Sequence, residues 1–449
     1  MNDRTEPAWM SRALRPFADV RAGEAGTALL LTLNVFLLLC AYYFIKPVRE
    51  ALILVLESGA EYKAYMSGVI AVVLLFAVPL YAKLVDRLPR LKLIVGVTLG
   101  FAAQLVLFFL AEKIPALRAR LGLVFYVWVG IFNMMVVAQF WSFANDLYDK
   151  ERGARLFPIV AVGASVGAAV GSQFAEHLIP VLGVSPMLLV AAALLVACAA
   201  LTTLIERRES ASGHAAGAST LVRSGPAGAA SGAFGLVFSH RYLALLALFS
   251  LVFSWVNSNG EYMLGKLFKA AAEEAVARGE LSQGDVGKYI GAAYGQFFKY
   301  VNWGGVLLQA LVVSRLIRWL GFPLAFMIMP VIALGNAAVV AFVPLLSVLR
   351  VGKIVENATD YSLNNTLRQM TWLVTSTEMK YKAKQAVDTF FVRMGDVSAA
   401  VAVWILIDQL ELPVQRFALL SCVLVGAWLA IAIAIGRSFA QKRAAEGQT

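Results

Sequence analysis

A chain of 449 residues that is 60% hydrophobic and only 15% charged, with a mean hydropathy of +0.74, does not have the composition of a soluble protein of this length. Its net charge of +11 raises nucleic acid as a partner, but the basic residues gather in one set of loops between apolar blocks, so the excess reads as membrane topology and no nucleic acid is expected. Three scattered histidines and three cysteines inside apolar blocks (Cys40, Cys198, Cys422) argue against a metal site or a disulfide frame.

Residues 1–25 hold no apolar core and include Asp3, Glu6, Asp19 and Glu24, so neither a signal peptide nor a transit peptide is expected. Apolar blocks follow at 26–45, 65–81, 93–111, 123–142, 156–177, 186–204, 242–256, 289–313, 323–343, 345–374, 386–407 and 417–435. Each is near or above the ~18 residues that cross a hydrocarbon core about 30 Å thick. The expectation is an all-α membrane protein of twelve transmembrane helices, both termini cytoplasmic, in a bacterial inner membrane.

The stretch 210–232 is dominated by Ala, Gly, Ser, Thr and Pro, the composition of a flexible linker. It predicts a six-helix bundle over 1–205, a cytoplasmic linker over 206–240 and a second six-helix bundle over 241–449. The halves echo each other: basic loops recur after the second and eighth spans (Lys83 to Lys92; Arg315, Arg318) and after the fourth and tenth (Lys150, Arg152, Arg155; Lys380, Lys382, Lys384). Six plus six with a loose middle is similar to the layout of major-facilitator transporters, whose halves rock about a midplane site.

Charges inside spans are costly, so each is read as lining a cavity or forming a pair. The first span ends in Tyr42, Lys46, Pro47, Arg49 and Glu50, with Tyr42, Lys46 and Arg49 on one face. Pro47 removes a backbone donor there and allows a kink. The alternative is that both cations reach to the membrane interface. The eighth span offers Gln296, Lys299 and Trp303 on one face, with Tyr300 and Asn302 close by: an aromatic beside a cation can hold a base and a phosphate, or can simply pack. In the tenth, Arg350, Lys353, Asn357, Asp360, Asn364 and Arg368 fall within an arc of about 80° on a regular helix. That stripe lines water, or it is an internal ladder joining Arg350 or Lys353 to Glu356 or Asp360. Glu261 is a cavity acid or a loop carboxylate.

Other motifs carry less. Gly260 to Leu267 nearly fits a phosphate loop, but Leu267 stands where Ser or Thr is required and no strand precedes it. Gly163, Gly167 and Gly171 read as a close helix–helix contact. No nucleophile–base pair or dinucleotide fingerprint is present, so neither an enzyme nor a cofactor is expected.

Residues 139–172 read QFWSFANDLYDKERGARLFPIVAVGASVGAAVGS. With Phe140 to Asn145, Arg155-Leu156-Phe157-Pro158 and Gly163-Ala164, this stretch resembles the nucleotide transporter (ATP:ADP antiporter) family of intracellular bacteria and plastids, a branch of the major facilitators. The likeness continues through Ser58-Gly59-Ala60-Glu61 and Lys380 to Asp388. The resemblance implies that Arg49 takes the place of a lysine implicated in nucleotide binding and that Glu261 matches a family glutamate. The chain departs from the family at Arg368-Gln369-Met370-Thr371-Trp372, where the pattern is Lys-Glu-Met-Ala-Tyr, and between Tyr126 and Ala138, which carry no charge.

These residues together imply a carrier that exchanges nucleotides, ATP and ADP, by alternating access at a central basic cavity. Lys46, Arg49, Lys299, Lys353 and Arg368 are its expected substrate ligands, with Glu50, Glu261 and Asp360 pairing and gating. The partners expected are a small anionic substrate and the lipid bilayer, and the carrier is expected to be a monomer. The alternatives are a proton-coupled carrier of another phosphorylated anion and a transport-inactive membrane sensor or scaffold.

Overall fold

In lipid a backbone must satisfy its own hydrogen bonds, and the long apolar blocks of this chain do so as helices. The computed structural model describes residues 20–21, 24–148, 150–211, 229–376 and 379–446, and all regular structure among them is helical. The first six helices are α1 Ala25–Leu54, α2 Gly59–Arg87, α3 Arg90–Ala111, α4 Pro115–Leu147, α5 Lys150–Leu182 and α6 Pro186–Ala211. A short α7, Ala229–Ser239, leads into α8 Arg241–Ala277, α9 Val286–Leu311 and α10 Val313–Phe342. Then come α11 Leu346–Thr359, a π-turn at Asp360–Asn364 and α12 Asn365–Met370. A run of helical and π-helical turns follows, including α13 Lys384–Ala386 and α14 Val392–Val403, before α15 Val414–Glu446.

Among the described residues, ten helices are long and apolar enough to cross a membrane. The two remaining expected spans fold as α9 and as the run α11 to α12, which carry the densest sets of amide and charged side chains. The middle of the expected linker, residues 212–228, and the amino-terminal residues 1–19 lie outside the described residues. The linker's described flanks are helical, in α6 and α7.

The boundaries follow simple chemistry. Pro115 starts α4, where its missing N–H costs nothing. Gly183, at φ 90°, follows the end of α5 as a left-handed cap. Pro47 does not break α1, which continues through it to Leu54. A positive φ at Gly321 breaks α10 into two pieces just before Pro323, near the expected start of that span.

Two compact units form. The first comprises Met1–Leu52, Leu74–Leu221 and Gly287–Lys299; the second comprises Ile53–Val73, Val222–Val286 and Tyr300–Thr449. Most of 1–205 thus falls in the first unit and most of 241–449 in the second, while 53–73 and 287–299 group across that division. Each unit has its own apolar core. In the first, Phe101, Phe125, Trp128 and Phe132 stack among α3 and α4. In the second, Phe249, Phe322, Phe326 and Trp428 do the same. Large apolar side chains also face outward, Phe76 at 73% exposure and Phe342 at 79% among them, as lipid-facing residues do.

In the first unit, α1 and α5 pack backbone to backbone. A methyl group built on Gly163, Gly167 or Gly171 would stand only 2.4 to 2.7 Å from atoms of Thr32, Phe36 or Cys40. Only a residue without Cβ permits that approach. The contact fixes the face of α1 that carries the candidate site.

Candidate functional site

The expected site residues fall into two sets, one in each unit. Four lie in the first: Lys46, Arg49 and Glu50 on α1 and Lys299 on α9. The Lys46 Nζ stands 4.0 Å from the Phe298 ring centroid, with the Tyr43 and Tyr42 rings at 5.4 and 5.9 Å. Tyr43 meets Phe298 edge to face at 5.9 Å. The Arg49 guanidinium lies 4.4 Å from the Tyr126 ring centroid and donates to Glu50, which is fully buried. Aromatic faces attract cations through the ring quadrupole, so both side chains are held beside flat apolar surface.

Lys299 meets a partner that the sequence reading did not single out. Its Nζ pairs with Glu176 Oε2 on α5 at 2.6 Å, and Gln296 donates to Glu176 Oε1 at 3.1 Å. Gly295 makes this possible: a methyl group there would stand 2.7 Å from the Glu176 backbone nitrogen. The helices therefore touch where the pair forms. Arg49, Lys299 and Glu176 keep 14%, 19% and 16% of their side-chain surface, so the group is shielded but reachable.

The second unit holds Lys353, Arg368, Glu261 and Asp360. Lys353 is 1% exposed. Its Nζ lies 2.7 Å from Glu356 Oε1 and 3.9 Å from Glu261 Oε1, and it donates to Asn257 Oδ1 at 3.3 Å. Lys353 with Glu356 is one of the rungs that an internal ladder requires. Glu261 also pairs with Lys63 at 3.2 Å and accepts from Asn357. Glu356 accepts from Asn336 at 2.7 Å. Next to this lattice, Glu61 pairs with Lys266 and accepts from Tyr262.

Arg368 and Asp360 are placed differently. The π-turn at Asp360–Asn364 takes up an extra residue and breaks the regular phase, so the expected stripe is not one straight face. Asp360 accepts from Asn364 at 2.7 Å inside that turn. Arg368 reaches Asp388 at 3.4 Å, where Lys384 also pairs at 2.6 Å, and its guanidinium lies 5.2 Å from the Phe253 ring centroid. With Asp388, Phe249, Phe326 and Trp372, Arg368 lines a small pocket in this unit. No cluster of three or more metal-ligating His, Cys, Asp or Glu occurs among the described residues.

Glu176, Glu61, Lys63 and Asp388 were missed as partners. An acid inside an apolar span was the available signal for Glu176. Nothing in the sequence connects it to Lys299.

No protein-family model matches the chain, and no curated protein sequence matches it. Solved structures do. The nucleoside transporter NupG superposes with a TM-score of 0.63 at 12% identity, over 91% of this chain and 98% of that one. A bacterial homologue of the human lysosomal transporter Spinster, in an inward-facing and unoccupied conformation, gives 0.60 at 14% identity, over 93% and 98%. The human organic anion transporter MFSD10 gives 0.56 at 15% identity, over 92% and 100%. At these identities the likeness is one of fold: the chain has the helical major-facilitator transporter fold.

Proposed function

We propose that the protein is a secondary transporter of an organic phosphate of the nucleotide class, working by alternating access. The observation that carries this reading is in the first unit: Lys46 against the Tyr42, Tyr43 and Phe298 rings and Arg49 against the Tyr126 ring, with Lys299 next to Phe298 in the chain. A nucleotide has two demands that such a cluster meets. Its phosphates need several convergent cationic donors to leave water, and its base needs flat apolar surface. Fold alone does not choose a substrate, since one fold serves many. Of the structures sharing it, one is described as a nucleoside transporter, one as an organic anion transporter and another as a peptide transporter. The resemblance of residues 139–172 to nucleotide transporters supports the nucleotide class.

In the second unit Arg368, 23% exposed, is the candidate anion ligand. Lys353 joins Glu356 and Glu261 in holding helices together, and Asp360 orders the π-turn. The test is uptake of labelled ATP by proteoliposomes with and without internal ADP. Saturable uptake blocked by ADP and ATP but not by adenosine is the expected result; uptake indifferent to all three removes the nucleotide reading. A second reading, a proton-coupled carrier of another phosphorylated anion, is favoured by the carboxylates standing beside Arg49 and Lys299. Uptake driven by an imposed pH gradient and blocked by orthophosphate would select it.

A further inference from the structure

Arg49 and Lys299 each pair with an acid, but the two acids are not equivalent. Glu50 is fully buried, so opening that pair leaves a carboxylate without access to water. Glu176 keeps 16% of its side-chain surface and meets Lys299 from a different helix, so side-chain rotation alone releases it. Gln296, one turn from Lys299, donates to the same carboxylate, so Glu176 retains a partner when Lys299 leaves. His177, whose Nδ1 is 3.9 Å from Glu176, hydrogen-bonds the Gln173 carbonyl at 2.8 Å through that same nitrogen and does not compete with Lys299.

We propose that Glu176 is an internal counter-anion that occupies Lys299 when substrate is absent, and that this pairing lets the empty carrier complete its cycle, giving net transport as well as exchange. The inference rests on reading this cluster as the anion site. Its logic is electrostatic. A carrier closing around an uncompensated cation must take that charge into a low-dielectric interior, and only a bound anion then permits closure. Such a carrier is confined to exchange. Where a carboxylate stands in for the anion, the empty protein closes with its cation already paired. A multiply charged substrate displaces Glu176 by making the stronger charge-assisted contacts, and Gln296 keeps the displaced carboxylate in place for return.

The experiment measures two fluxes in proteoliposomes with the membrane potential clamped. Labelled ADP is taken up against internal ADP (exchange) and against internal chloride alone (net uptake). Labelled pyrophosphate is run in parallel. In the wild type, net uptake should lie within about tenfold of exchange. In Glu176→Gln the net-to-exchange ratio should fall at least tenfold, while exchange continues with a lower KM because the competitor for Lys299 is gone. Pairing Lys299→Gln with Glu176→Gln removes both charges and should restore the ratio at weaker ADP affinity, which a merely structural role for Glu176 would not do.

Equal ratios in wild type and Glu176→Gln, or no recovery in the double variant, would overturn the inference and leave the nucleotide reading standing. Transport of pyrophosphate but not ADP, with the ratios as expected, would overturn only the nucleotide reading. If neither probe binds or moves, Lys299 is no anion site and both fall.

Discussion

Lys46 in the first unit and Lys353 in the second are held in different ways. Lys46 lies among the Phe298, Tyr43 and Tyr42 rings. Lys353 is held among two carboxylates and an amide at 1% exposure. A ring attracts a cation through its quadrupole, whereas a carboxylate offsets its charge directly. On the proposed function the first arrangement suits a cation that binds and the second one that holds helices together, although both read as intramembrane cations in the sequence.

The contrast breaks most directly at Lys353. Lys353→Met leaves Glu356 with a buried, unbalanced charge, while Glu261 keeps Lys63, and removing one member of a buried pair destabilises by roughly 3–5 kcal/mol. Thermal unfolding in detergent should show a large loss, and adding Glu356→Gln should recover much of it. An unchanged midpoint in Lys353→Met would mean that Lys353 is not structural.

At Lys46 the effect should move from stability to binding. Lys46→Met removes a cation–π contact worth about 1 kcal/mol to folding. The same change removes a charge-assisted phosphate donor, worth about 1.5–3 kcal/mol. ADP affinity by calorimetry should therefore fall tenfold or more while the melting midpoint moves little. Full ADP affinity would dissolve the distinction between the units.

How far the sequence could foresee this contrast depends on how local each feature is. The helices and the face holding Tyr42, Lys46 and Arg49 were legible, because apolar run length and i, i+4, i+7 spacing are properties of one segment. The glycine ladder of α5 was legible for the same reason, and each of its glycines meets the backbone of α1. The pairing of Glu176 was not, since Gln296, which shares it, lies 120 residues away. The stripe from Arg350 to Arg368 was drawn on a regular helix, and the π-turn invalidates that arithmetic at Asp360. Glu61 enters the sequence reading only through the family resemblance and Lys266 only within the imperfect phosphate loop, and their pairing was not legible because α8 runs on past its apolar block to Ala277 and places Lys266 within it.

Arg368 is the intermediate case, since it has both a carboxylate and a ring. Arg368→Ala leaves Asp388 with Lys384, so the folding cost should stay at about 1 kcal/mol, the upper range for a partly exposed pair. If Arg368 is the second unit's anion ligand, ADP affinity should fall about tenfold, and Arg368→Lys should restore part of it. Wild-type affinity in Arg368→Ala would assign anion binding to the first unit alone.

The smallest effect is expected at Glu24, just before α1, and it tests whether an ion pair in the first unit can be purely a tie. Glu24 takes a bidentate bond from Arg155 at 2.8 and 2.9 Å, a backbone bond from Arg21 at 3.0 Å and a longer contact from Arg152 at 3.5 Å. The Arg155 hydrogen bonds, more than any other favourable contact, hold its carboxyl below the usual carboxylate range, against an opposing push from partial burial. A carboxylate whose folded value is depressed contributes stability that is fully present above its unfolded value near 4.5 and is lost as pH falls through the folded value. At pH 7 Glu24→Gln should therefore cost about 1 kcal/mol. At pH values below the folded value the variant and the wild type should converge, since both are then neutral at that position. Unfolding midpoints measured from pH 7 downward would show the two curves meeting. ADP affinity at pH 7 should be unchanged throughout, because the carboxylate's contacts are Arg155, Arg21 and Arg152, none of them a candidate ligand. Curves that stay parallel to the lowest pH would mean that Glu24 stabilises by shape alone, and a change in ADP affinity would extend the binding site to the first turn of α1.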